Sequence, residues 1–216
     1  MTTGDLGPVE GSAGDPAGDQ AGDQAGDQAR ARAGDQAGDQ ATGGSALARN
    51  DRVVLNPAAF DRLSATGRRV VLTHEVTHVA VRSSTSSAVP TWLSEGFADY
   101  VAYQGSGVGR RTSAEDVLTL VREGRGPTSL PTAADFDPTR TTIAPSYSSS
   151  LLACDLLADT YGERGLVRLY RAATRQAPGG ARDPEARLAG AFPRALGTSQ
   201  QRFTAQWRQY LYQLAG

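Results

Sequence analysis

The sequence predicts an α+β fold, mostly helical with a small β-sheet, preceded by a disordered N-terminal tail. Three observations lead to this prediction. Residues 1–47 are a low-complexity segment with a short repeat. The run RVVLNP at 52–57 is β-branched and ends in proline, which indicates one strand. From residue 66 onward, apolar residues recur at helical spacing. We therefore place a single folded domain at 48–216.

The tail contains five copies of the sequence AGDQ, which begin at positions 17, 21, 25, 33 and 37. A repeat of small, flexible and acidic residues buries too little apolar surface to offset its conformational entropy. We therefore expect residues 1–47 to be disordered.

Periodicity in the remaining sequence predicts seven helices. They lie near 66–82, 90–104, 113–124, 147–161, 163–175, 182–195 and 199–213. Gly162 stands where a helix is expected to end. The segment 124–145 is a long, proline-rich loop, and loops of this length in compact domains often form a lid or rim over a site.

Charge and apolar patterning limit the partners of the chain. Residues 51–216 hold 19 arginines against 15 acidic residues, and the arginines are scattered, which argues against nucleic-acid binding. No apolar run is long enough to span a bilayer, and no signal peptide is evident. As written, the sequence predicts a cytoplasmic protein, whereas a start further upstream would allow export or membrane association. Neither the oligomeric state nor the role of the tail follows from the sequence.

Both histidines of the chain lie in the stretch VLTHEVTHVAV, at positions 74 and 78. In a strand these positions would be about 13 Å apart, too far for one ion with bonds of about 2.1 Å. On a helix they are neighbours on one face, about 6 Å apart. Seven of the twelve residues from Val70 to Val81 are β-branched, which favours a strand. A metal site formed by His74 and His78 therefore requires this segment to be helical.

Glu75 directly follows His74, so on a helix it lies beside the predicted metal without pointing at it. A carboxylate in this position can accept a proton from water that zinc has made acidic, which predicts Glu75 as the catalytic base. The alternative is that both histidines are hydrogen-bonded residues of a helical core. We favour the metal site, because this composition would rarely produce its two histidines in this arrangement by chance.

A catalytic zinc site usually has three protein ligands and one open position. Since the chain has only two histidines, the third ligand must be a carboxylate or Cys154. The segment PTWLSEGFADYVA at 90–102 begins with a proline suited to a helix start, and it places Glu95 and Asp99 on one helix face. We predict Glu95 as the third ligand and Asp99 as the acceptor for the N–H group of a ligating histidine. The alternative is that both are solvated carboxylates.

HEVTH followed by WLSEGFADY resembles the gluzincin metallopeptidases, whose zinc site combines HExxH with a glutamate on a following helix. The WLSEGFA form is similar to that of the leukotriene hydrolase and aminopeptidase branch. Over about residues 52–175, the chain is most similar to the peptidase-MA-like domain. The resemblance implies a zincin-like fold that binds Zn²⁺ through His74, His78 and Glu95, with Glu75 as the base.

The segment PSYSSSLLACDLLADTYG at 145–162 is similar to the family segment in which a tyrosine near a helix start faces the metal. A phenol there could donate a hydrogen bond to the oxyanion formed during hydrolysis, which predicts a catalytic role for Tyr147. The alternative is that the tyrosine packs against the helix or caps it.

Two features depart from the resemblance. Gluzincins have a sheet before the HExxH helix, and here only RVVLN precedes it. No segment resembles those that hold a free amino terminus, so we favour an endopeptidase acting on a peptide or protein substrate. One alternative is a zinc-stabilised binding or scaffold module with little or no turnover. Another is an esterase or amidase that uses the same site.

Overall fold

In the computed structural model, the described residues are 53, 60–82, 89–137, 139–140, 143–175 and 183–216. The predicted tail lies outside them, and so does the predicted strand at 52–57 except for Val53. The single-domain prediction for 48–216 therefore concerns a segment that is described only in part.

Eight helices follow one another along the described part of the chain. They are α1 (Ala65–Arg82), α2 (Thr91–Tyr103), the short α3 (Arg110–Ser113), α4 (Glu115–Arg122), α5 (Ile143–Tyr161), α6 (Glu163–Thr174), α7 (Pro184–Leu196) and α8 (Gln200–Ala215). One turn of 3₁₀-helix, Ala133–Phe136, interrupts the loop between α4 and α5. All seven predicted helices are confirmed, although α5 begins four residues before its predicted start.

The predicted α+β class is wrong for the part of the chain that the structure describes, which contains helices and irregular segments but no strand. The strand prediction rested on the β-branched composition of one short run, and Val53, its one described residue, is not in a strand. Such composition is weak evidence, since packing often overrides it. In α1 the stretch from Val70 to Val81, which is richer in β-branched residues, is helical. Its spacing places Val70, Val71 and His74 in the interior.

Local signals in the sequence explain where several helices begin and end. Asp183 caps α7 by accepting a hydrogen bond from the backbone N–H of Ala186 at 2.9 Å. Gly197 ends that helix in the left-handed conformation, with φ of 67°. Gly162 separates α5 from α6 with φ of 71°, as expected for a helix stop.

The core is formed by helices packed around α5, which contacts α2, α4, α6 and α8. Leu151, Leu152 and Leu157 of α5 are buried, and burial of each leucine side chain contributes about 1.5–3 kcal/mol. On its other side α2 packs against α1, so α2 lies between the histidine helix and the central helix. Within the described ranges, no helix combines the length and apolarity needed to cross a membrane.

Candidate metal centre

The two histidines lie on successive turns of α1 and face the same side. Their ring centroids are 4.6 Å apart, and the Nε2 atom of His78 lies 3.0 Å from the Nε2 atom of His74. His74 is buried, whereas the side chain of His78 is 22% exposed. The helical conformation required for a shared metal ion is therefore present.

α2 brings the Glu95 carboxylate to the two imidazoles. Its Oε2 atom lies 3.3 Å from the Nε2 atom of His74 and 3.4 Å from the Nε2 atom of His78. Three potential ligand atoms from two helices thus surround one point, and His74, His78 and Glu95 form a group that could bind a metal ion.

The separations of these three atoms fit a metal ion. In a tetrahedral site with bonds of about 2.1 Å, neighbouring ligand atoms are about 3.4 Å apart. The three measured separations, 3.0, 3.3 and 3.4 Å, are close to this value. The Oε2 atom of Glu95 is buried and accepts no hydrogen bond from any group that the structure describes. A buried carboxylate oxygen without a donor is costly, and a cation at this point would satisfy it.

Burial alone would raise the pKa of Glu95, because it removes the carboxylate from water. The His78 and His74 imidazoles lower the pKa by more than burial raises it, so the pKa of Glu95 lies well below its ordinary value of 4.5. At neutral pH the side chain is therefore ionised, which is the form that binds metal.

Asp99, one turn after Glu95 on α2, contacts the far side of the His74 ring. Its Oδ1 atom accepts a hydrogen bond of 2.7 Å from the Nδ1–H group of His74, and both side chains are almost fully buried. A proton held on Nδ1 leaves the Nε2 lone pair of His74 facing His78 and Glu95. The arrangement is the one predicted for Asp99, which thereby orients a potential ligand.

Glu75 is half-buried on α1, next to His74. One residue along a helix corresponds to a rotation of about 100°, so Glu75 lies beside the ligand face rather than on it. No described side chain forms an ion pair or hydrogen bond with its carboxylate. Its catalytic role stays a prediction.

Tyr147 lies in the first half of α5 and is buried near the site. Its ring centroid is 6.4 Å from that of His74. On another side it packs edge-to-face on Phe136, with centroids 5.2 Å apart and planes at 89°. Both alternatives considered for this tyrosine therefore have support: the ring is packed, and it lies close to a histidine of the site.

Cys154, the other candidate for the third ligand, does not belong to the group. It is fully buried on α5, and burial raises the pKa of its thiol well above the ordinary value, with further contributions from Asp155 and Asp99. It therefore remains a neutral thiol and packs in the core as a small apolar residue.

Two residues near the site were not singled out from the sequence. Phe136 belongs to the long loop and packs on Tyr147, so a loop predicted as a rim does contribute to the surroundings of the site. Gly96 follows Glu95 and lies against the α5 backbone. A glycine inside a predicted helix is a signal of close packing, although it does not identify the neighbour.

The chain was compared with protein-family models, with curated protein sequences and with solved structures, and none of the three comparisons found a match.

Proposed function

We propose that this protein is a zinc-dependent hydrolase that cleaves peptide bonds in the manner of the gluzincins. The observation that supports it most is the separation of three ligand atoms, from His74, His78 and Glu95, by only 3.0 to 3.4 Å. One of the three is the buried Oε2 atom of Glu95, which makes no hydrogen bond to a described residue.

The donor set favours zinc over magnesium or calcium, because two imidazole nitrogens and one carboxylate oxygen suit zinc, whereas the latter ions prefer oxygen ligands. Three protein ligands leave one coordination position open, which is typical of catalytic rather than structural zinc sites. A zinc ion bound there supplies Lewis-acid polarisation of a carbonyl group and lowers the pKa of water to near neutrality.

Three side chains around the group have separate roles in the proposed hydrolysis. Glu75 accepts a proton from water and passes it to the leaving amine, a role that suits a half-buried carboxylate without an ion-pair partner among the described side chains. Asp99 holds the Nδ1 proton of His74, which keeps Nε2 available as a ligand atom. Tyr147, whose ring centroid lies 6.4 Å from that of His74, is the candidate for a hydrogen bond to the oxyanion.

Differences in exposure indicate the side from which a substrate approaches. The His74 and Glu95 side chains are 1% and 8% exposed, whereas the His78 side chain is 22% exposed. Glu75 is also partly accessible. A peptide would therefore reach the site from the side of His78 and Glu75, and this places the base next to the entering bond.

The decisive experiment compares wild-type protein with Glu75→Gln, after measurement of the bound metal by elemental analysis. Both forms are offered a library of internally quenched peptides. We expect equal zinc content, because Glu75 is not a ligand, and a loss of peptide cleavage by about 10²- to 10⁴-fold, the usual contribution of a general base. Glu123→Gln, at an exposed position after α4, is the matched control and should leave both quantities unchanged.

Each alternative gives a different result. Equal zinc binding with no cleavage by either form would support a scaffold module. Cleavage of ester but not peptide substrates would support an esterase. Stable binding of iron in preference to zinc would contradict the proposal, since the same donor set also serves Fe²⁺ in other enzymes.

A further inference from the structure

α2 and α5 are in close backbone contact at Gly96, the residue after Glu95. A Cβ atom placed on Gly96 would lie 2.3 Å from the backbone oxygen of Ser150 and 2.6 Å from its carbonyl carbon. It would also lie 3.0 Å from the Sγ atom of Cys154. Among the glycines that the structure describes, no other places a Cβ this close to a backbone atom of another helix.

The kind of atom that a side chain at position 96 would contact determines whether the contact can be relieved without moving the helices. A contact with the end of a flexible side chain can be relieved by rotation, but the Ser150 carbonyl belongs to a hydrogen-bonded helix and cannot rotate away. An ordinary contact begins at 3.4 Å. The two helix backbones would therefore have to separate by about 1 Å, whereas metal ligands must be placed to within about 0.2 Å.

The surface of α5 is suited to this approach because it carries small residues. Ser146, Ser149 and Ser150 are buried along it. The Ser150 hydroxyl donates a hydrogen bond of 2.8 Å to the backbone oxygen of Ser146, so it needs no partner on α2. Because these side chains are small, a glycine can pack closely against this stretch of α5.

The spacing of these two helices controls several side chains of the site. Glu95 directly precedes Gly96 on α2, and Asp99 follows Glu95 by one turn of the same helix. Tyr147 lies on α5, one turn before Ser150. A change in the separation of α2 and α5 would therefore move both carboxylates relative to the histidines, and also relative to Tyr147.

We infer that Gly96 is a positioning residue of the metal centre: by allowing backbone contact between α2 and α5, it places Glu95 and Asp99 at the distances that metal binding requires. This inference rests on the proposed zinc-dependent function. It adds to that proposal a residue that does not contact the metal or the substrate.

The test is the zinc affinity of the full chain carrying Gly96→Ala, measured by competition with a chromophoric chelator. We expect the dissociation constant for zinc to rise by about 10- to 100-fold, as for loss of support to a metal ligand. The visible absorption bands of the Co²⁺-loaded variant should also change in position or intensity, because the ligand geometry is altered. A purely structural effect would leave these bands unchanged in the folded protein.

Two controls separate positioning from general destabilisation. Gly190→Ala makes the same change inside α7, where the new methyl group meets only the flexible end of Arg194, so zinc affinity should not change. Ala191→Val overpacks a fully buried position of α7, which packs on α6 and α8. It should lower the melting temperature but leave the Co²⁺ spectrum as in the wild type.

If Gly96→Ala does not fold, Cys154→Val replaces it, because it thickens the same contact from the α5 side. Weaker zinc binding by the folded variant supports the inference. A folded variant with the wild-type zinc affinity and Co²⁺ spectrum overturns it, while zinc binding by the wild type still supports the proposed function. Wild-type protein that binds no zinc contradicts both.

Discussion

Two clusters of charged residues satisfy their carboxylates in different ways. In one, Asp155 and Asp159 of α5 share the guanidinium group of Arg110, with N–O distances of 3.2 and 2.8 Å. In the other, the buried Glu95 carboxylate contacts only the imidazoles of His74 and His78, and no described arginine pairs with it. Among the described residues, a fixed cation is thus present where the carboxylates link helices, and none is present where we propose that a metal ion binds.

Burial acts on the pKa of a carboxylate in each cluster, but the outcome differs. Burial raises the pKa of Asp155 to about 6, and Arg110 lowers it only partly while Asp159 raises it further. In Glu95 burial acts in the same direction, but the histidines lower the pKa by more. A buried carboxylate paired with a half-exposed arginine therefore still carries a desolvation cost, whereas Glu95 is kept ionised and ready to bind a cation.

The largest expected effect comes from removing the buried carboxylate charge with Glu95→Gln. We expect zinc binding to weaken by about 100-fold or more, since structural zinc binding of about 10–16 kcal/mol is shared among only a few ligands. The metal-free protein should also lose stability at neutral pH, because the two imidazoles favour the ionised form of Glu95 in the folded protein. Zinc titration and urea denaturation with a chelator measure the two quantities. Undiminished zinc affinity would show that Glu95 is not a ligand.

Asp99→Asn should have the next largest effect, because the charge that holds the His74 Nδ1 proton is lost while the shape is kept. We expect zinc affinity to fall by about 10- to 100-fold. Calorimetric titration with zinc at pH 7 provides the measurement. If the affinity stays at the wild-type level, Asp99 is a structural partner of His74 and does not tune the ligand.

Asp155→Asn tests the cluster that contains Arg110, through the pH dependence of the free energy of unfolding. The unfolded chain releases the Asp155 proton near pH 3.8, and the folded protein holds it until about pH 6. Between these values the folded state binds more protons, so this contribution to the free energy of unfolding falls as the pH rises. Relative to wild type, the variant should gain about 2 kcal/mol between pH 4 and pH 7. Urea denaturation at both pH values checks this, and a difference that does not vary with pH would contradict it.

Asp159→Asn should have the smallest effect. Its ion pair with Arg110 lies at the surface, with side chains 48% and 40% exposed, and exposed pairs contribute about 1 kcal/mol or less. Thermal denaturation at low and high salt measures the loss, which should shrink as salt screens the pair. A loss as large as that from a buried pair would mean that the two clusters are less different than their exposure indicates.

Residues close together along one helix were the part of the site that could be predicted. His74 with His78, and Glu95 with Asp99, are each one turn apart, and helix geometry places such pairs on one face. The same reasoning identified most helix boundaries. The predicted strand at 52–57 had no such support, because a short β-branched run depends on neighbours that the sequence does not specify.

Contacts between distant segments could not be predicted. Arg110 reaches Asp159 across 49 positions of the chain, and no local pattern marks either as a partner of the other. The contact of Gly96 with Ser150, and that of Phe136 with Tyr147, likewise depend on how helices and the loop pack. Elimination narrowed the third ligand to a carboxylate or Cys154, and the helical spacing of Glu95 and Asp99 led to the prediction of Glu95; that Glu95 and not Cys154 lies beside the histidines depends on how α2 and α5 pack.

The sequence by itself therefore determined the helices and the pairs of side chains on each helix face, because hydrogen bonding and periodicity act over a few residues. Tertiary structure alone decided that the α1 and α2 pairs meet, and that Glu95 is left without a fixed cation while Asp155 receives one. The physical reason is that helix separation is set by close packing of residues far apart in the chain, here through the contact of Gly96 with α5.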